Sequence, residues 1–190
     1  MKKITMLIVL IVCILTACEN ASELPYNQLP KNYTLDDAKA DGCVVYEDSD
    51  ITSGQSVWDE FIKDTDDGKN STVRLVFYYT LGDPSHYSEE YYAEIKDDYP
   101  VFYIMELSYD GDKYTLFQTE DGKDYKDVYR YLVKYSGEPS SDSATYSEYT
   151  YYVLVNDNTL TWKDIEDGML SSQSDAWIDH HKVYSDLTYK

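Results

Sequence analysis

Four consecutive residues near the start of the chain have the types and order that covalent attachment of a lipid requires. Leu15, Thr16 and Ala17 precede Cys18, and a leucine, two small residues and a cysteine form the lipobox of bacterial lipoprotein precursors. Small residues before the cut fit a narrow peptidase pocket, and the thiol of Cys18 can carry diacylglycerol as a thioether. The motif predicts cleavage before Cys18 and lipidation of its sulfur atom.

Residues 1–17 have the pattern of an export signal. Two lysines follow Met1, and an apolar run then extends from Ile4 to Leu15. A run of about 12 apolar residues after a basic start is typical of a signal peptide, because a membrane-spanning helix needs about 20. We therefore expect Cys18 to carry at least two acyl chains, palmitate among them, since a single chain anchors only marginally. The predicted location is the extracellular face of the cell membrane.

The chain is strongly acidic. Its 190 residues include 16 Lys and Arg against 36 Asp and Glu, a formal net charge of −20, and loss of the two signal-peptide lysines would take this to −22. Such a charge excludes nucleic acid as a partner, because the phosphates would repel it, and it should hold the body away from anionic lipid headgroups. The acidity favours solubility, and the alternative is attraction of cations or of a cationic partner.

Few residues are candidates for catalysis or metal binding. The histidines are His86, His180 and His181. We expect the adjacent pair His180 and His181 to be solvated on a C-terminal tail. Cys43 lies in an apolar segment, so we expect a buried, unreactive thiol without a disulfide partner. Residues 64–69 begin like a calcium-binding EF-hand loop, but the glycine falls one position early and Leu75 stands where the loop needs glutamate. No catalytic residue, metal or cofactor is predicted, and the acids are too numerous for one pair to stand out.

Tyrosine is unusually frequent, with 22 residues against four phenylalanines. Tyr125, Tyr129, Tyr131 and Tyr135 share one face of a strand predicted over 125–135. If no helix covers that face, the rings form a flat platform for a glycan or a peptide, because tyrosine combines contact area with a polar tip. The alternative is that the same rings form the core under the helices.

Hydrophobic periodicity and turn residues predict an α+β fold, a twisted antiparallel sheet in meander order with two or three helices packed on one face. The predicted organisation is a lipidated cysteine and flexible tether over 18–33, a single domain over 34–170, and a polar tail over 171–190. Thr34 and Thr161 are predicted helix caps. Asp110-Gly111 and Asp121-Gly122 are predicted hairpin turns, which require antiparallel neighbours.

Three segments between residues 34 and 120 resemble a family of small Gram-positive lipoproteins that share a domain of unknown function. They are Asp41-Gly42-Cys43-Val44-Val45, Tyr79-Thr80-Leu81-Gly82-Asp83-Pro84 and Tyr109-Asp110-Gly111. The corresponding family motifs are an Asp-Val-Val strand, a Tyr-Thr-x-Glu-Gly-Asp-Pro strand and turn, and a Tyr-Asp-Gly hairpin. Cys43 stands where the family usually has Asp, and Leu81 where it often has Glu. The resemblance implies a fold and a cell-surface setting, and it supplies no catalytic residue.

The sequence as a whole predicts a monomeric, membrane-anchored cell-surface lipoprotein that acts as a non-enzymatic binding or interaction module. Its ligand would be a glycan or a protein of the cell envelope. The alternative is an envelope enzyme, or an enzyme modulator, that acts on wall polymers.

Overall fold

The computed structural model describes residues 25–120 and 122–190, so the predicted signal peptide, the lipobox and Cys18 lie outside the described residues. Within them the chain forms four α-helices and nine β-strands, which confirms the α+β class. The helices are α1 (Leu35–Ala40), α2 (Gln55–Asp66), α3 (Glu89–Ile95) and α4 (Trp162–Leu170). The strands are β1 (Val44–Glu47), β2 (Asp50–Ser53), β3 (Ser71–Tyr79), β4 (Val101–Tyr109), β5 (Tyr114–Glu120), β6 (Lys123–Tyr129), β7 (Tyr131–Gly137), β8 (Tyr146–Val155) and β9 (His180–Tyr189).

The strands form two sheets where the sequence predicted one. A six-stranded sheet has the order β2-β1-β3-β4-β5-β6, and a three-stranded antiparallel sheet has the order β7-β8-β9. The larger sheet is mixed, because β1 and β3 run parallel while its other neighbours run antiparallel. The pair is parallel because β2 returns the chain to the starting end of β1, and α2 then carries it across β1 to β3, a connection that a short turn cannot make.

Local sequence signals explain where several elements begin and turn. Thr34 and Thr161 each accept a hydrogen bond from the third residue of their helix and form complete capping boxes, as predicted. Gly111, at φ +92°, provides the left-handed backbone that the β4–β5 hairpin needs. The second predicted turn cannot be described in full, since Asp121 lies outside the described residues.

The elements stack in layers, so the helices do not share one face as predicted. Helix α1 packs on one face of the six-stranded sheet, the outer face, where Ala38 clusters with Cys43 and Val76. Helix α2 and the three-stranded sheet both cover the opposite, inner face and close the main core. That core contains Trp58, Phe61, Leu75, Leu107, Leu116, Leu154, Val183 and Tyr184. Helix α4 packs on the far side of the three-stranded sheet through Ile165.

Two segment predictions are wrong. The long strand over 125–135 breaks at Arg130, so that β6 belongs to one sheet and β7 to the other. The predicted polar tail contains β9, whose Val183 and Tyr184 are buried between the sheets. In both cases long-range strand pairing decides the outcome, and local periodicity does not report it.

The described part of the predicted tether, 25–33, lies against the domain. The Tyr26 ring is 6.0 Å from the Phe117 ring on the outer face, and its hydroxyl donates to the Gln118 carbonyl oxygen at 3.4 Å. Tyr33 packs beside Cys43. None of the helices in the described part of the chain is long and apolar enough to cross a membrane.

Candidate functional site

A cleft lies where the two sheets and α2 meet, and we call it the junction cleft. Its volume is about 610 Å³, within the range of about 300–1,000 Å³ that is usual for ligand sites. One wall is the last turn of α2 with the β4–β5 hairpin, and the other is β7 together with Tyr152 of the neighbouring β8. The lining residues are Ile62, Thr65, Asp66, Tyr109, Asp112, Tyr114, Arg130, Tyr131, Leu132, Val133, Lys134, Tyr152 and Asn158.

The hairpin wall is held rigidly by its own turn. Asp110 accepts hydrogen bonds from the backbone N–H groups of Asp112 and Lys113 at 3.1 and 3.0 Å, which fixes the loop that carries Asp112. Tyr109 and Tyr114 face each other across the hairpin, with ring centroids 4.6 Å apart. Burial raises the pKa of Tyr114, so its hydroxyl is a neutral hydrogen-bonding group at physiological pH.

The β7 wall combines aromatic surface with cations. The Lys134 ammonium lies 5.8 Å from the centroid of the Tyr152 ring, which in turn meets Trp58 edge-on at 5.2 Å. Burial raises the pKa of Tyr152, and the carboxylates of Asp66 and Asp59 raise it further. Arg130 begins the wall, and its backbone N–H donates to Asn156 Oδ1 at 3.3 Å, which fixes the corner between β6 and β7.

The charged groups of the cleft are available for hydrogen bonds and ion pairs with a ligand. The cleft holds two acids and two cations, so its formal charge is balanced although the whole chain carries −20. Its lining contains neither histidine nor cysteine, and the buried Thr65 hydroxyl donates to the Ile62 carbonyl oxygen at 3.0 Å. The carboxylates of Asp66 and Asp112 are both exposed to solvent, whereas the acid of a glycosidase pair depends on an apolar environment.

The four predicted site tyrosines are not brought together, because the strand that would have aligned them is split. Tyr131 lies in the junction cleft and is 37% exposed. Tyr125 is 41% exposed and lines a separate cleft of about 310 Å³ beside Tyr26 and Phe117, the N-terminal cleft. Tyr129 is buried between the sheets, and Tyr135 is half-buried beside α4.

Sequence reasoning missed three tyrosines of the junction cleft. Tyr109 and Tyr114 could have been paired from the sequence, because they flank the Asp110-Gly111 turn and therefore face each other across a hairpin. Tyr152 carried no such signal, since its place opposite α2 depends on how the two sheets pack.

The histidines at 180 and 181 and Cys43 are packed into the fold. His180 and His181 lie on β9, so the expectation of a solvated tail is wrong. His180 Nδ1 is 2.7 Å from the Ile178 carbonyl oxygen, and burial lowers the pKa of His181. Cys43 is buried, and burial raises the pKa of its thiol. Across residues 25–120 and 122–190, no three His, Cys, Asp or Glu side chains are grouped so that they could hold a metal ion.

No family model, curated protein or solved structure matches the chain. The resemblance to the Gram-positive lipoprotein family therefore stays a prediction, and the case for a function depends on the geometry of the clefts.

Proposed function

We propose that this protein is a lipid-anchored cell-surface binding module, without catalytic activity of its own, that takes its ligand in the junction cleft. The observation that carries the proposal is the cleft itself, an open site of about 610 Å³ with tyrosines on both walls and acids and cations in its lining. Tyrosine rings provide contact area at a low cost in conformational entropy, and the charged groups select and orient the ligand.

The position of the N-terminal segment supports this use of the cleft. Residues 25–28 rest on the outer face at Phe117, whereas the junction cleft opens beside the inner face that bears Leu116. Six residues lie between Cys18 and Pro25, and the seven steps of chain that join these two residues reach at most about 25 Å when fully extended. A lipid on Cys18 would therefore hold the outer face toward the membrane and leave the cleft open to the cell exterior.

The anchor is tested by labelling cells with a radioactive or alkyne-bearing fatty acid. Cys18→Ala should abolish labelling and release or misprocess the protein, because no other residue of the lipobox can form the thioether. Cys43→Ala is the matched control and should keep its label. Persistent labelling of Cys18→Ala would overturn the proposed anchor.

The binding site is tested with the full-length chain in a non-ionic detergent. The probes are soluble peptidoglycan fragments and a random decapeptide library, and hydrogen exchange locates the protected segments. We expect protection over residues 130–134 and 109–114, and loss of binding in Tyr131→Ala. Tyr125→Ala is the matched control, since it removes a tyrosine of similar exposure from the N-terminal cleft. Protection at the N-terminal cleft alone, or cleavage of the fragments detected by mass spectrometry, would contradict the proposal.

A further inference from the structure

Strand β7 presents its backbone edge, and not one of its faces, to the junction cleft. Five consecutive residues line the cleft, from Arg130 to Lys134. Neighbouring side chains of a strand point to opposite faces. Accordingly, Leu132 packs in the core between the sheets while Val133 packs toward α4. A cleft that touches both must run along the edge of the strand.

That edge has free hydrogen-bonding capacity. Among the described strands, β7 pairs only with β8 and ends the order β7-β8-β9. An edge strand directs the N–H and C=O groups of alternate residues away from its sheet, where they can pair with a further extended chain. Here those groups point into a cleft.

The β6 edge of the larger sheet provides an example of a protected strand edge in the same chain. The outermost strand β6 carries Lys123, Asp124, Lys126 and Asp127, and charged side chains are a common means of preventing unwanted strand pairing. Strand β7 has Tyr131, Leu132 and Val133 in its first half and Lys134 as its one charged residue. The opposite wall of the cleft shields the β7 edge from other folded proteins, and the cleft leaves space for a ligand between that wall and β7.

We propose that the ligand is an extended polypeptide segment that adds to β7 as a fourth strand, an inference that depends on the junction cleft being the binding site. The five lining residues span about 13 Å at roughly 3.3 Å per residue, enough for a paired stretch of about five ligand residues. Alternate ligand side chains then contact the tyrosines between the walls, and the others face outward. The net charge of −20 favours a segment flanked by lysine or arginine.

The same geometry disfavours two other occupants. A glycan lacks the regular alternation of donors and acceptors that matches a strand edge. A second copy of this chain would have to bring a folded sheet edge between β7 and the wall formed by Ile62, Asp66 and Asp112. A single extended segment needs only the strand spacing of about 4.8 Å.

The test is a backbone scan of a peptide selected from the decapeptide library on the full-length chain. Each peptide bond is N-methylated in turn, and the dissociation constant is measured by fluorescence anisotropy. Strand addition predicts a period of two: methylation weakens binding by about tenfold at alternate positions over about five residues, and by less than about twofold between them. Only alternate N–H groups face β7. Tyr131→Ala should weaken binding of the unmodified peptide, and Tyr125→Ala should not.

Each other outcome is informative. A profile without the period of two overturns strand addition but leaves the cleft as the site. If peptidoglycan fragments protect the cleft and no peptide is selected from the library, strand addition is likewise overturned and the cleft remains the site. Peptides that bind Tyr131→Ala normally but fail with Tyr125→Ala overturn both proposals. A dimer in sedimentation experiments that disappears in Tyr131→Ala would show that the edge accepts a second copy instead.

Discussion

Tyr184 lies at the centre of the contact between the two sheets, and replacing it tests whether the C-terminal residues belong to the fold. The ring stacks on Trp58 with centroids 4.5 Å apart, and it meets Tyr46 and Tyr152 edge-on at 6.2 and 5.4 Å. Its hydroxyl donates to Gln55 Oε1 at 2.9 Å, and only 4% of the residue is exposed.

We expect Tyr184→Ala to lower the free energy of unfolding by about 3–5 kcal/mol, because it removes a buried aromatic ring and leaves a cavity. Tyr184→Phe keeps the ring and removes one hydrogen bond to an exposed amide, so the expected loss is about 1 kcal/mol or less. In a chain of this size 1 kcal/mol corresponds to about 2–4 °C, so the melting temperature of the alanine variant should fall by about 6–20 °C.

Urea unfolding of the full-length chain, followed by tryptophan fluorescence, measures these differences. The matched control is Tyr189→Ala, on the same strand but 49% exposed, for which we expect a change within about 0.5 kcal/mol. A Tyr184→Ala variant that unfolds at the same urea concentration as Tyr189→Ala would refute the place of β9 in the core.

Backbone geometry at Gly54 and burial at Tyr129 and Cys43 each have a measurable consequence. A Cβ at Gly54 (φ +80°) would lie 2.2 Å from the Cys43 carbonyl oxygen, whereas one at Gly68 (φ +72°) meets nothing within 4 Å. Gly54→Ala should therefore abolish the circular dichroism spectrum of the folded chain, whereas Gly68→Ala should lower the free energy of unfolding by about 1–2 kcal/mol. Equal melting temperatures of the two variants would contradict this expectation. Burial raises the pKa of Tyr129 to about 12. Its contribution to the free energy of unfolding is therefore full below about pH 10 and is lost between about pH 10 and 12, by at most about 2–3 kcal/mol. In Tyr129→Phe, the urea concentration at the unfolding midpoint should fall less steeply between about pH 10 and 12. An unchanged fall would count against a raised pKa of Tyr129. Cys43 is 3% exposed, and burial raises the pKa of its thiol. Ellman's reagent at pH 8 should therefore modify Cys43 only when the chain unfolds. Rapid labelling of Cys43 in the native chain, mapped by mass spectrometry, would be inconsistent with this burial.

Features that depend on a few neighbouring residues were predictable from the sequence. The capping boxes at Thr34 and Thr161 and the hairpin at Asp110-Gly111 form as expected. In each case the decisive hydrogen bonds or backbone angles lie within about four residues of one another, so a short stretch of sequence contains the whole cause.

The division into two sheets could not be predicted in the same way. The alternation of side chains continues from Tyr125 to Tyr135, and no proline or glycine marks the break at Arg130. The break exists because β7 pairs with β8, whose partner residues lie 12 to 24 positions further along the chain, while β6 pairs with β5. A periodic pattern states which side chains share a face but not which strand will lie beside them.

The sequence by itself was enough to predict the α+β class and the local caps and turns, and four adjacent residues carry the prediction of a lipid on Cys18. The tertiary structure alone decided the candidate site, because the junction cleft is lined by residues 62, 65, 66, 109, 112, 114, 130–134, 152 and 158. It also decided that a strand presents its edge there. Strand edges and clefts are properties of how distant segments pack, and no local run of residues contains them.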